Sequence, residues 1–256
     1  MSGKRGLNKA ISILLSVIAA LLFTAAVIIV VRSYWPHRED YGSYKNDVSV
    51  PEVELAENPI NFEKLKEQNA DVCGWINFEL PELQVDHPIL CPSPDEEEEY
   101  YLHRNLEKKY DINGTIFIQK MNSTDFSDRC TVIYGHNMNN GSMFGSLKKF
   151  RDAEFFEQNK YFTICTPGHI LKYVIKSAFV YDDRHINNSF NNFATKQDFM
   201  SFANEVANPT SLVKNVREDV EIKPTSKLAV LSTCVARQPD KRYLVVGVLE
   251  SDIKTK

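Results

Sequence analysis

The sequence lacks several features that identify common classes of binding protein. It has no basic excess, because 30 Lys and Arg stand against 34 Asp and Glu in 256 residues, a formal net charge of −4. Since nucleic-acid binding usually needs a clustered basic face, we expect no nucleic-acid partner. The chain also has no internal repeat and no low-complexity segment. Its length predicts one globular domain with an additional N-terminal segment, since domains typically run to about 100–200 residues.

Patterns typical of metal sites are absent as well. The five cysteines form no Cys-x-x-Cys pair, and no His or Cys lies within two to five residues of His136 or Cys234. The ligand spacing of zinc sites is therefore missing. The acidic run Asp95–Glu99 offers oxygen ligands for calcium, but it lacks the spaced Asp, Asn and Gly residues of a loop that wraps the cation. We expect a solvated loop there and no metal site.

Cysteine is scarce and odd in number, which leaves at least one thiol free. Cys73, Cys130 and Cys165 fall in apolar segments and are predicted to be small buried side chains. A disulfide among these residues and Cys91 stays open, because pairing depends on distances that the sequence does not give.

Only one long apolar run occurs, at residues 11–31. A membrane-spanning helix needs roughly 20 such residues, whereas the apolar part of a cleavable signal peptide is about 7–15 residues long. No Ala-x-Ala cleavage pattern follows, so we predict an uncleaved transmembrane signal anchor. Residues 1–10 then form the cytoplasmic N-terminus, and residues 32–57 form an extracytoplasmic stalk. Residues 58–256 form a folded domain on the extracellular face of the cell membrane.

The folded domain is predicted to be mainly β. Its apolar segments are short, rich in Val, Ile, Phe and Tyr, and bounded by Gly, Pro, Asn and Asp, as strands usually are. Eight such strands with only short helices between them favour a closed antiparallel-type barrel, which leaves no open edge. The predicted strands are Val72–Ile76, Gln84–Leu90, Gly114–Gln119, Thr131–Tyr134, Tyr161–Thr166, Leu171–Val180, Leu228–Thr233 and Tyr243–Leu249.

Two amphipathic helices are predicted beside these strands. Asn58 and Pro59 form a helix-start pattern, with asparagine as N-cap and proline at the first helical position, and this helix should end near Asn69. In the second half, Thr195 and Asp198 form a start that resembles a capping box. This helix should lie against the barrel, because one of its faces is apolar: Phe199, Phe202, Ala203 and Val206.

Three residues at the ends of predicted strands are the candidate catalytic residues. Cys234 follows the strand Leu228–Thr233, Arg242 directly precedes the last strand, and His136 follows the strand Thr131–Tyr134. A thiol is a strong nucleophile only as thiolate, and a nearby imidazolium or guanidinium lowers its pKa. A structural cysteine in the core is the plainer interpretation of Cys234 alone. Arg237 is a rival for the role of Arg242, but a position fixed by the sheet holds a guanidinium better than a loop does.

These segments resemble the signature of sortases, the cysteine transpeptidases of Gram-positive cell surfaces. The resemblance lies in Leu-Ser-Thr-Cys ending at Cys234, Tyr-Gly-His ending at His136, and Arg242, and it covers the chain from about Asn58 to the C-terminus. Asn137–Gly145 and the helix-rich insert before the cysteine strand point to class B. The resemblance implies a mainly β fold, an eight-stranded sortase-type barrel with short peripheral helices, preceded here by one transmembrane helix.

The resemblance also implies the reaction and its participants. Cys234 would attack the threonine carbonyl of a sorting motif near the C-terminus of a secreted surface protein, with His136 as acid and base and Arg242 as the stabilising cation. The acceptor would be an amine of a peptidoglycan precursor, and no cofactor is needed. The implied substrate-binding residues are Leu102, Tyr134, Ser232, Thr233 and Glu98, of which Glu98 replaces an asparagine usual in the family.

The sequence leaves two alternatives open. A pilus-polymerising sortase would use the same three residues with a lysine side chain as acceptor. A catalytically silent, membrane-tethered binding module would use the same barrel, although the presence of all three residues argues against it.

Overall fold

A computed structural model describes residues 24–25, 55–80 and 82–256 of the chain. The chain divides into two compact units, Met1–His37 and Arg38–Lys256, and the fold below belongs to the second. The predicted anchor at residues 11–31, the N-terminal residues 1–10 and most of the stalk at residues 32–57 lie outside the described residues. Within the described ranges, no helix has the length and apolar composition needed to cross a membrane.

Eight of the strands close into a barrel, which confirms the predicted strand count. The order around the barrel is β5-β1-β2-β3-β4-β8-β9-β6, and β6 pairs back onto β5. A ninth strand, β7, was not predicted. It pairs with β6 and lies outside the closed ring of eight strands. The strands are β1 Val72–Asn77, β2 Asp86–Leu90, β3 Ile116–Ile118, β4 Cys130–Tyr134, β5 Tyr161–Thr166, β6 His169–Asp182, β7 Lys214–Val216, β8 Leu228–Val235 and β9 Gln238–Lys254.

The barrel is not purely antiparallel, contrary to the prediction. Two neighbouring pairs, β2 with β3 and β4 with β8, run parallel. Parallel neighbours need a long connection that returns the chain to the starting end of the sheet. Residues 91–115 and residues 135–227 provide these connections, and both contain helical segments.

Short helices surround the barrel. The α-helices of the described domain are α1 Phe62–Gln68, α2 Ala153–Gln158, α3 Ile186–Ser189 and α4 Lys196–Ala207, with 3-10 helices at Tyr100–His103, Gly145–Arg151 and Asn191–Phe193. Helix α4 begins with the predicted capping box between Thr195 and Asp198. Its apolar face packs on the outer faces of β4, β8 and β9, in a cluster that includes Phe199, Phe202, Val132, Val230 and Leu244.

The start of α1 differs from the prediction. Asn61 is the N-cap, and its side chain accepts a hydrogen bond from the Lys64 amide. Asn58 is buried instead, and its amide group donates to the Thr166 carbonyl at 2.8 Å and to the Thr255 hydroxyl at 3.2 Å. The Asn58 side chain therefore joins the N-terminal end of the domain to β5 and to the C-terminal tail.

Strand β8 is apolar on both faces because each face packs on a different cluster. Ala229 and Leu231 point into the barrel interior, whereas Leu228 and Val230 belong to the outer cluster under α4. Since side chains alternate along a strand, the outward face continues through residues 232 and 234. Cys234 therefore lies on the outside of the barrel, beyond the end of the apolar outer cluster.

Candidate active site

The parallel pairing of β4 with β8 brings His136 and Cys234 to the same level of the barrel. Tyr134, the last residue of β4, is the register partner of Ser232. His136 follows Tyr134 by two positions, as Cys234 follows Ser232, and both residues line the same cleft. The segment that follows β4 stays hydrogen-bonded to β8. The Thr233 hydroxyl donates to the Gly135 carbonyl at 2.7 Å, and the Gly135 amide donates to the Ser232 carbonyl at 3.2 Å.

Two residues around His136 maintain this arrangement. Gly135 leaves no room for a side chain, since an added Cβ would lie 2.8 Å from the Phe144 ring. Asn137, noted from the sequence only as part of the segment Asn137–Gly145, donates from its side chain to the Cys234 carbonyl at 2.8 Å. The chain on either side of His136 is therefore tied to the strand that carries the thiol.

The Arg242 side chain lies next to Cys234 on the neighbouring strand. The two residues are register partners in the antiparallel pair of β8 and β9. The loop predicted after Cys234 is instead a tight hairpin, because β8 continues to Val235 and β9 begins at Gln238. Arg237 occupies the turn with φ of 62°, so strand pairing fixes Arg242 and not Arg237 beside the thiol.

These residues line one cleft with a cavity volume of about 170 Å³. It contains seven of the eight residues predicted to bind substrate or to act in catalysis: Leu102, Tyr134, His136, Ser232, Thr233, Cys234 and Arg242. Further lining residues that sequence reasoning missed are Glu99, Phe117, Gln119 and the segment Asp182–Ile186. That segment follows β6, whose register places Tyr181 opposite Arg242, a long-range pairing without a local sequence signal.

Glu98 is the predicted binding residue that the structure does not bring into the cleft. Its carboxylate accepts a hydrogen bond from the Lys120 amide at 3.0 Å and so fixes the acidic loop to the end of β3. Its neighbour Glu99 lines the cleft instead. The acidic loop is thus largely solvated, as predicted, and the Glu98 carboxylate attaches it to the barrel.

The environment of His136 favours its neutral form. Burial lowers the pKa of His136 below the ordinary value of 6.5, and the neighbouring His103 lowers it further. The opposing influence is the Leu102 carbonyl, 2.7 Å from Nε2, which stabilises a protonated ring. At neutral pH the imidazole is therefore mostly neutral and able to accept a proton.

Cys234 is the exposed cysteine of the five. Cys73, Cys130 and Cys165 are buried, as predicted, and all five thiols are free. Burial raises the pKa of Cys73 and Cys130 well above the ordinary range, and it raises the pKa of Cys91 to about 11. Cys234 is thus the cysteine that combines an exposed thiol with a place in the cleft.

Among the described residues, no group of three or more His, Cys, Asp or Glu side chains is arranged to hold a metal ion. The cleft instead offers a thiol, an imidazole and a guanidinium on adjacent strands. Groups of these three kinds can act as a nucleophile, a proton carrier and a stabilising cation in acyl transfer.

Comparisons with known proteins identify the family to which the chain belongs. The sortase domain model matches residues 78–250. Sortase B of Listeria monocytogenes is 30% identical over 174 residues, which are 66% of this chain and 65% of that protein. The chain thus matches slightly less than two thirds of that relative.

Solved structures give the same result. Clostridium perfringens sortase B superimposes with a TM-score of 0.65 and 28% identity over 74% of this chain and 100% of that chain. A Streptococcus pyogenes class B sortase involved in pilus biogenesis gives a TM-score of 0.61 and 28% identity over 74% and 97%. The chain therefore belongs to the sortase family, and the relatives named above are class B sortases.

Proposed function

We propose that this chain cleaves a sorting motif after its threonine and transfers the acyl group to an amine. The Cys234 thiol transfers its proton to neutral His136, and the resulting thiolate attacks the threonine carbonyl. The protonated His136 then gives this proton to the departing amine, so that a thioester remains on the enzyme. An incoming amine then displaces the thiolate while His136 accepts a proton. Arg242 holds the substrate backbone and stabilises the charge that develops on the carbonyl oxygen.

The observation that carries this proposal is the strand register around Cys234. His136 is level with the thiol through the parallel β4–β8 pair, and Arg242 is its partner through the antiparallel β8–β9 pair. Within the described part of the chain, the hydrogen bonds of Arg242 go to the Pro239 and Lys241 carbonyls, and both use Nη1. The Nε and Nη2 donors are thus available to a carbonyl oxygen of the substrate.

The proposed motif is x-Pro-x-Thr, with a first position that is not restricted to asparagine. Leu102 packs on the proline, and Tyr134 and Ser232 contact the threonine end. Thr233 supports this end indirectly. Its hydroxyl already donates to the Gly135 carbonyl and so holds the backbone beside His136 in place. The first position meets acidic side chains of the cleft, among them Glu99 and Asp183.

The proposed substrates are secreted proteins that carry this motif near their C-termini, and the proposed acceptor is an amine of peptidoglycan. Residues 11–31 would anchor the enzyme in the cell membrane, with the catalytic domain on the extracellular face. Similarity to a class B sortase involved in pilus biogenesis favours one alternative acceptor, a lysine side chain of a second protein.

A fluorescence-quenched peptide library tests the proposal in the full chain. We expect wild type to cleave x-Pro-x-Thr peptides after threonine and, with added amine, to form the transfer product. Cys234→Ala should give neither product, whereas Cys91→Ala, which changes a half-buried thiol outside the cleft, should act as wild type. Parallel assays with a lysine peptide and a peptidoglycan stem peptide distinguish the acceptors. Wild type that cleaves no member of the library would instead indicate the silent binding module.

A further inference from the structure

The proposed reaction needs a second substrate, and the cleft accounts only for the first. In the proposed reaction, the donor motif occupies the cleft lined by Cys234, Arg242 and Tyr134. The acceptor must reach the thioester carbonyl from the side of His136, because this residue takes the proton of the attacking amine. The acceptor site is therefore expected on the surface beyond His136.

Three aromatic rings follow one another in that direction. The His103 ring lies 5.3 Å from the His136 ring, with 33° between their planes. The Tyr110 ring lies 6.3 Å from the His103 ring, with 32° between their planes. His103 and Tyr110 are not among the residues that line the donor cleft. The rings thus form a row that leads from the catalytic histidine out of the cleft.

The outer end of this row is unusually exposed for apolar side chains. Tyr110 is 75% exposed, and Ile112 on the same loop is 66% exposed. Burial of such side chains is normally favourable, at about 25 cal/mol per Å² of apolar surface. Neither side chain packs into a core cluster of the described domain, so their positions are not explained by the fold.

The loop that carries Tyr110 is held in place despite this exposure. Arg104 and Tyr110 form a β-bridge, and the Asp111 amide donates to the His103 carbonyl at 3.0 Å. Gly114 closes the loop with φ of +58°, and a Cβ there would lie 2.2 Å from the Leu102 carbonyl oxygen. The aromatic row is therefore a fixed surface beside His136.

The lysines of this loop are engaged in ion pairs. Lys108 pairs with Asp71 at 2.8 Å, and Lys109 pairs with Glu107 at 2.5 Å. A primary amine arrives largely as an ammonium ion at neutral pH, since its pKa is near 10.4. The face of a tyrosine ring attracts such a cation within about 6 Å of its centre.

From these observations we infer that His103, Tyr110 and Ile112 form the acceptor platform of this enzyme, which holds an amine-bearing peptide against His136. The inference rests on the proposed transpeptidase function. The ammonium group gives one proton to solvent as it leaves the platform. The neutral amine attacks the thioester carbonyl and loses a second proton to His136, the C–N bond forms, and the C–S bond breaks with release of the Cys234 thiolate.

The test separates the two steps of the reaction in the full chain. Donor hydrolysis is measured without acceptor, and transfer is measured against increasing concentrations of a lysine peptide or a stem peptide with a free amine. We expect Tyr110→Ala to raise the KM for the acceptor about 5-fold while donor hydrolysis keeps its wild-type rate. Tyr110→Phe should keep the wild-type KM, because it retains the ring.

Tyr161→Ala is the matched control, since Tyr161 is a partly exposed tyrosine on β5 that does not line the cleft. It should leave both rates unchanged. An unchanged acceptor KM in Tyr110→Ala, or an equal loss of hydrolysis and transfer in a variant that unfolds at the wild-type temperature, would overturn the inference. Absence of donor cleavage in wild type would instead refute the proposed function on which the inference rests.

Discussion

Two arginines lie on the hairpin that carries Cys234, and they differ in their position relative to the paired strands. Arg242 is the register partner of Cys234 and lines the cleft, whereas Arg237 occupies the turn. The sequence alone placed both near the thiol and favoured Arg242. The deciding information is the register of β8 and β9, which shifts between the pair Val235–Gln238 and the pair Cys234–Arg242 and so places the Arg242 guanidinium level with the sulfur atom.

Replacement of Arg242 should therefore impair catalysis far more than replacement of Arg237. We expect Arg242→Lys to lower kcat/KM for peptide cleavage by about 100-fold, because lysine lacks the planar fork of donors that stabilises a developing oxyanion. Arg237→Ala should stay within about 2-fold of wild type, since its side chain does not line the cleft. Steady-state cleavage of one donor peptide measures both. The reverse order of effects would assign the role to Arg237.

His87 is a buried histidine that links folding to pH. It is 6% exposed, and its Nε2 atom lies 3.1 Å from the Gln84 carbonyl. Burial lowers the pKa of His87 from 6.5 to about 4. The unfolded chain therefore binds the proton at a higher pH than the folded chain does.

The sign of the effect follows from this difference. The stability contributed by neutral His87 is fully present above pH 6.5, and it is lost as the pH falls from 6.5 to about 4. We expect a loss of roughly 3 kcal/mol in the free energy of unfolding across this range. Denaturant unfolding of wild type and His87→Gln at several pH values measures it, because the aspartates contribute equally to both proteins. Parallel curves for the two proteins would show that His87 carries no such linkage.

At the scale of the element, helix α4 shows what local sequence patterns can predict. Its capping box and its apolar face involve residues within one or two turns of each other, so the pattern of Thr195, Asp198 and the following phenylalanines was sufficient. Asn58 carried an equally plausible cap pattern but has distant partners, Thr166 and Thr255. Strand β7 was missed because its three residues, with exposed or half-buried side chains, show no apolar alternation.

Loss of the cap on α4 should have a measurable cost. The Thr195 hydroxyl accepts from the Asp198 amide at 3.1 Å, and the Asp198 carboxylate accepts from the Thr195 amide at 3.1 Å. We expect Thr195→Ala to lower the free energy of unfolding by about 1 kcal/mol. Ser201→Ala, an exposed site within the same helix, should change it by less than about 0.5 kcal/mol. Equal effects of the two substitutions in urea would contradict the structural role of the cap.

At the scale of the whole molecule, the active site depends on strand pairings that join distant parts of the chain. The sequence identified His136, Cys234 and Arg242 through their strand-end patterns and their resemblance to a family. It did not reveal that β4 and β8 are parallel neighbours, or that the end of β6 brings Asp182–Ile186 to the same cleft. Local patterns contain no information about such pairings, because they arise from the closure of the whole barrel.

The most direct test of the account is to identify the atom that carries the acyl group. The full chain is incubated with an x-Pro-x-Thr peptide, quenched in acid, digested and mapped by mass spectrometry. We expect an adduct on the peptide that contains Cys234, with the mass of the donor fragment ending at threonine, and its removal by hydroxylamine, as a thioester requires. The adduct should be absent in Cys234→Ala and present in Cys91→Ala. An adduct on another residue, or transfer by Cys234→Ala at the wild-type rate, would contradict the assignment of Cys234 as the nucleophile.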